Sequence, residues 1–371
     1  MPFPLFVAVT FLIAAGTLVA VRLLAARPAL AALAGAAGAT ALLIMIGPGY
    51  VICIADDAYI TFRYSDHLAN GLGPNWNSTG HVEGYTTFSW MALLAALAKL
   101  GAGIVAASQV LGFLALLATF AAVYGIWRLW TRGEEQGPLR SPVLAAAVFV
   151  GLALTDGTAF WGFSGMETPL FMALLTGGAY LHLRERRGAQ VPLSALVFAA
   201  AAMTRPEGLI AAAATGAAKA AGLLDAEGRR ERLVRLIIWS ATFLAIYGAY
   251  FAWRYTYYDH VFPNTYYAKV GTTQAIFERG LNYLWFYGLR YQLLALAAGA
   301  ALLAARPRLR DDAAYIIALS AAMLIGVVIE GGDAFGHGRF VVPLLPLLYL
   351  GGLAGYATVL ERLALPSARS T

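Results

Sequence analysis

Asp56 and Asp57 stand side by side in the stretch DDAYITFRY, directly after an apolar run. Two adjacent carboxylates repel each other, and the edge of an apolar layer raises the pKa of at least one of them. Such a pair can take a proton from a hydroxyl, hold a divalent cation through oxygen ligands, or cap the helix that residues 58–63 can form. A cap needs one aspartate, and there are two here. Arg63 follows Asp57 by six positions, nearly two helical turns and off its face, so it is no simple ion-pair partner. Glu83 lies in HVEGYT, after a turn-rich Gly and Asn stretch that can fold it back toward the aspartates. Carboxylates with separated pKa values suit acid–base work at a glycosidic centre.

Three further stretches carry groups of use to the same chemistry. Arg205 in TRPEG sits between two apolar runs, where a buried arginine is costly and usually paired. It is either an ion pair with Glu207 or a guanidinium clamp for phosphate oxygens. The tyrosine-rich stretch WRYTYYDHVFPNTYYAK is in part an aromatic belt. A belt does not explain its Pro-Asn kernel or the surrounding Arg254, His260 and Lys269. Ring faces and amides such as Tyr266 and Asn264 suit a sugar, and the cations suit its phosphate. GGDAFGHGRF offers a glycine-rich turn with Asp333, His337 and Arg339. One His with one Asp is a poor metal signature, and His337 or Arg339 is expected to touch an anion. There is no P-loop, no GxGxxG and no HExxH. The single cysteine, Cys53, excludes an internal disulfide and a CxxC site and reads as a small apolar residue in a helix.

The elements that position these groups follow from composition. The chain has 371 residues, 60% hydrophobic and only 12% charged, against about 25% charged in a soluble domain. Mean hydropathy is +0.68. The expected fold class is an all-α polytopic membrane protein forming a single domain over residues 1–371, with no separate C-terminal soluble domain. The net charge of +6 needs no nucleic-acid partner, because a basic balance arises when Lys and Arg hold cytoplasmic loops.

Apolar runs fall near 3–21, 29–54, 104–127, 142–156, 168–183, 191–204, 208–224, 236–253, 283–304, 313–330 and 341–360. They predict about eleven spans, some shorter than the ~20 residues that cross a bilayer. The basic clusters, among them Arg128/Arg132/Arg140, Arg184/Arg186/Arg187 and Arg306/Arg308/Arg310, then all fall on one face, the inner one. Counting FSWMALLAALAKL, residues 88–100, as a span would break that pattern, so it is expected to lie on or dip into the outer surface. Residues 3–21 lack a basic leader and read as a helix rather than a signal peptide. The N-terminus is then outside and the C-terminus inside. The chemically rich loops, chiefly 55–100 and 254–282, face outward.

DDAYITFRY, VEGYTTFSW, SGMETPLF, TRPEG, FPNTYYAK and GGDAFGHGRF, in that order, resemble membrane glycosyltransferases with the GT-C fold. The closest resemblance is to the terminal β-(1→2)-arabinofuranosyltransferase family of mycobacteria and corynebacteria and its shorter bacterial relatives. The resemblance implies a polyprenyl-phosphate sugar donor, an acceptor glycan or protein such as a pilin, inversion at the anomeric carbon, and a site facing the periplasm from the bacterial cytoplasmic membrane. It also implies that the first outer loop carries the catalytic base. That base is Asp57 or Asp56; the spacing from Asp57 to Arg63 favours Asp57, and Glu83 matches the second acidic position. Arg63, Arg205, Arg254, Asn264, Tyr266, Lys269, His337 and Arg339 are the expected donor-binding residues. No cofactor is required, although a divalent cation at Asp56 and Asp57 is compatible with the pattern. This chain stops at Thr371, whereas the mycobacterial enzymes continue into an extracytoplasmic domain, so the acceptor is left open. The rival readings are a lipid-linked sugar flippase, which needs polar groups through the bilayer midplane, and a non-catalytic subunit of a glycan-assembly complex, which tolerates loss of the aspartates.

Overall fold

The computed structural model describes residues 3–77, 80–132, 137–264 and 273–364. Among the described residues there are helices and no strands. The elements are α1 (Phe3–Leu23), α2 (Pro28–Ile46), α3 (Pro48–Val51), α4 (Asp56–Ala69), α5 (Phe88–Lys99), α6 (Ile104–Thr131), α7 (Pro142–Leu154) and α8 (Asp156–Phe163). They continue with α9 (Thr168–Arg186), α10 (Leu193–Thr204), α11 (Gly208–Ala221), α12 (Arg229–Tyr258), α13 (Gln274–Arg290), α14 (Leu293–Leu302), α15 (Arg310–Glu330) and α16 (Leu345–Ala364).

Among the described residues, six helices are long and apolar enough to cross a membrane, or up to eight if two bent pairs each count as one span. This is a multi-pass membrane architecture, coarser than the eleven spans expected. The runs 168–183, 191–204 and 208–224 fall outside that count, and others are broken locally. The run 29–54 does not continue as one helix: α2 ends at Ile46, ahead of Gly47-Pro48-Gly49. Cys53 is correspondingly exposed and outside any helix, not in one as expected. The chain bends by 65° between α7 and α8, where the run 142–156 ends, and 283–304 turns by 71° between α13 and α14. The helices α10 and α11 have only 12 and 14 residues, roughly 18–21 Å at the helical rise, short of a ~30 Å hydrocarbon core.

One continuous buried core runs from Ala39 to Ala354. Small residues set its tightest contacts. A β-carbon on Gly355 would lie on the Gly299 carbonyl, so α14 and α16 meet backbone to backbone. Small residues allow this close approach between membrane helices.

The charged loops segregate into two sets. Arg186 and Arg187 reach Asp311 and Asp312, Trp130 donates to Asp312, Arg308 donates to the Arg132 carbonyl, and Arg306 pairs with Glu361. At the opposite end, residues 55–90 meet 164–165, 254–264 and Arg339. The expected sorting of basic clusters from chemically rich loops is therefore present as two ends of one bundle.

Candidate active site

The helix α4 begins at Asp56, after Pro48 and the extended residues 53–55. The Ala55 amide donates to the Ser164 carbonyl at 3.0 Å, and the Trp90 indole donates to the Gly165 carbonyl at 3.0 Å. The SGMET turn thus fastens the starts of α4 and α5 together. Gly165 adopts φ +85° with Phe62 and Ala58 against it, a conformation that needs glycine. Asp56 and Asp57 occupy the first helical turn, where the helix dipole favours carboxylates. Neither makes a side-chain cap; Asp56 accepts from the Asp57 amide at 2.9 Å.

The two aspartates part company by helical geometry. Asp56 lies on a stripe with Tyr59, Arg63, Asp66 and Asn70, all exposed. Asp57 turns toward the bundle, and its carboxylate is 3.8 Å from the Arg339 guanidinium. Arg339 is itself held by Asp333 at 2.8 Å and sits over the rings of Trp161, Phe335 and Phe340 at 5.2 to 5.9 Å. Phe340 also stacks under Arg205 at 4.7 Å. Behind it, Arg205 bonds Glu167 at 2.7 Å and Glu207 at 2.5 Å, with all three side chains buried. Burial alone would lower the guanidinium pKa, but the two carboxylates outweigh it and hold Arg205 firmly charged, above its ordinary value. The ion-pair alternative for Arg205 is thus realised, with a second glutamate from SGMET that spacing did not reveal. Glu167 keeps its other carboxylate oxygen buried without a partner among the described residues.

Glu83 does fold back, but onto Arg254. The pair is bidentate at 2.8 and 2.5 Å and almost fully buried. Arg254 also donates to the Val261 carbonyl at 2.8 Å. The Asn264 amide donates to the Glu83 carbonyl at 3.0 Å, and the Asn264 side chain accepts from the Glu83 amide. Nearby, Tyr258 donates to the Pro74 carbonyl, Tyr257 to the Asn75 side chain, and His81 stacks on Tyr257. These groups tie the loop after α4 to the end of α12. Burial raises the Glu83 carboxyl above the ordinary carboxylate range despite Arg254.

His337, expected to touch a donor anion, here meets Asp156 of the chain itself at 2.8 Å, which also holds Arg290 at 2.7 Å. Phe160 stacks on the His337 ring at 4.3 Å. Arg63 points elsewhere, donating to the Trp76 carbonyl at 2.8 Å with its guanidinium 4.6 Å above that ring. Tyr266 and Lys269 lie outside the described residues. Among the described residues no group of three or more His, Cys, Asp or Glu could hold a metal ion.

The chain is 28% identical over 347 residues to the terminal beta-(1->2)-arabinofuranosyltransferase of Mycobacterium tuberculosis, covering 83% of this chain and 53% of that protein. It spans about half the length of the curated relative it matches. This distant likeness supports a glycosyltransferase relationship. No protein-family model matches the chain, and no solved structure matches it. The ordered motifs converge around α4. Glu83 and Glu167, by contrast, are engaged by arginines from other segments, while Glu207 pairs within its own motif, and the roles of Asp333, Glu167 and Asp156 as partners had no spacing signal.

Proposed function

We propose that the protein is an inverting membrane glycosyltransferase, moving a sugar from a polyprenyl-phosphate donor to a hydroxyl of a glycan or protein acceptor outside the bacterial cytoplasmic membrane. Arabinofuranose is the sugar favoured, because the relative's name specifies it. The observation that carries the reading is Asp57 on the first turn of α4, 3.8 Å from a guanidinium that Asp333 and three rings hold in place.

The step balances as follows. The acceptor hydroxyl gives its proton to the Asp57 carboxylate, and its oxygen forms a bond to the anomeric carbon. The bond from that carbon to the donor phosphate oxygen breaks, and its electron pair leaves with the lipid phosphate. The phosphate is already a good anion, so it needs electrostatic stabilisation and no general acid. Arg339 suits that role. A phosphate on its open side draws the guanidinium away from Asp57 and leaves the carboxylate free to act as base. Arg205 and Arg254 act at one remove: the first holds the Phe340 face on which Arg339 rests, and the second locks the outer loop through Glu83.

The test is transfer by purified protein in nanodiscs from polyprenyl-phosphoryl arabinofuranose to a panel of glycans and peptides. Asp57→Asn is expected to lower turnover by about 10²–10⁴-fold, the usual weight of a general base, with donor binding kept. Asp56→Asn is expected to keep most of it, and EDTA to leave the rate unchanged. Full activity in Asp57→Asn would end its assignment as base. Donor binding without transfer to any acceptor would turn the reading toward a flippase or an assembly subunit.

A further inference from the structure

The exposed stripe of α4 does not end in featureless solvent. Tyr59, Arg63, Asp66 and Asn70 form one wall of an open groove of about 870 Å³, with Trp76 and Lys99 also lining it. The opposite side is the corner between α5 and α6, residues 101–105. Asp56 sits one turn before Tyr59 on the same stripe, so the groove leads away from the two aspartates along the helix.

The lining has a definite chemistry. Tyr59 is 55% exposed and rests edge-on against Phe62. Arg63 is oriented by Trp76 through one nitrogen, which leaves the two terminal amino groups of its fork directed to other partners. Asn70 bonds Asp66 at 3.1 Å, and the remaining carboxylate oxygen of Asp66 is an acceptor. Donors, acceptors and aromatic surface on α4 therefore share one trough with the small and apolar residues of the α5–α6 corner. Arg63 and Lys99 stand against the single carboxylate of Asp66, a near balance that suits neither a polyanion nor an apolar tail. A neutral chain rich in hydroxyls satisfies every group present. From Tyr59 to Asn70 the stripe is about 16 Å long at the helical rise, room for roughly three or four linked sugar rings.

We infer that this groove is the acceptor site, and that it takes a glycan of several units laid along α4 with its reactive hydroxyl at the aspartate end. The inference rests on the transferase reading for the role of that hydroxyl, but the binding of an oligosaccharide does not. The experiment is calorimetric titration of the full chain in nanodiscs, without donor, using linear arabinofuranosyl and mannopyranosyl oligosaccharides of one, two, four and six units. Acceptor KM and donor KM are measured alongside where transfer occurs. Tyr59→Ala and Asp66→Asn, both surface changes, are the variants.

The expected result is affinity that climbs to about four units and then levels, with each variant weakening it by up to about tenfold, the weight of one contact. Acceptor KM rises by a similar factor and donor KM does not move. Affinity independent of length and of both variants overturns the groove assignment, and transfer by the wild type would still stand. Variants that raise donor KM and leave acceptor KM alone also overturn it, because the groove is then a donor site. Length-dependent, variant-sensitive binding with no transfer by the wild type supports the groove and sinks the transferase reading instead.

Discussion

At the residue scale, the charged contacts divide into one that is partly open and several that are closed to solvent. Asp57 faces Arg339 at a distance too long for a hydrogen bond and retains some exposure. Glu83 and Arg254 form two short bonds with neither side chain open to solvent. Removing one member of such a pair leaves an uncompensated buried charge, at about 3–5 kcal/mol. Glu83→Ala is therefore expected to lower the melting temperature in detergent sharply. Glu83→Ala with Arg254→Met should recover part of that loss; equal melting temperatures for wild type and Glu83→Ala would show that the pair is not structural. The pH dependence has a definite sign. Glu83 has a raised pKa in the folded chain, so the fold holds a proton there that the unfolded chain has lost. Its contribution to stability is present below the ordinary carboxylate value and declines as pH rises from there through the raised value. The stability difference between wild type and Glu83→Gln should shift against the wild type over that window, and a flat difference would contradict the sign.

At the scale of elements, α4 is the organising helix. Its inward side carries Asp57 to Arg339, and its exposed stripe walls the groove. Its start is placed by the SGMET turn, whose Ser164 and Gly165 carbonyls hold Ala55 and Trp90. Gly165→Ala would put a methyl carbon 2.9 Å from the Phe62 ring at a positive φ. It is expected to cost more than ~1 kcal/mol and to lower transfer by displacing α4, while donor-independent folding markers such as monodispersity persist. Unchanged transfer together with an unchanged melting temperature would show that the turn does not set the position of α4.

At the scale of the whole molecule, the two ends of the bundle hold different chemistry, and sidedness decides which compartment the site serves. Cys53 is the single cysteine, exposed three positions before Asp56. In intact cells a membrane-impermeant maleimide is expected to label it without permeabilisation. In a Cys53→Ser background, Arg230→Cys, at an exposed position beside α12's start, is expected to label only after permeabilisation. The reverse pattern would place the aspartates in the cytoplasm and remove a periplasmic acceptor.

The sequence by itself determined the all-helical membrane character, the separation of arginine clusters from the chemically rich loops, and the short set of motifs worth watching. Those are properties of local composition and of charge along the chain, and hydropathy reports them directly. Helix breaks were less legible, because a Gly-Pro-Gly step or the bend after Arg290 sits inside a run whose averaged hydropathy reads as one span. Partner choice was decided only by the tertiary structure. Glu83 and Arg254 are 171 positions apart, and Asp156 meets His337 across 181; no spacing rule reaches that far. Burial forces each charge to find a counter-charge, but which one it finds depends on how the helices pack. That packing separated Asp57, near a guanidinium in the bundle, from Asp56, on the groove stripe, although the two are neighbours in the chain.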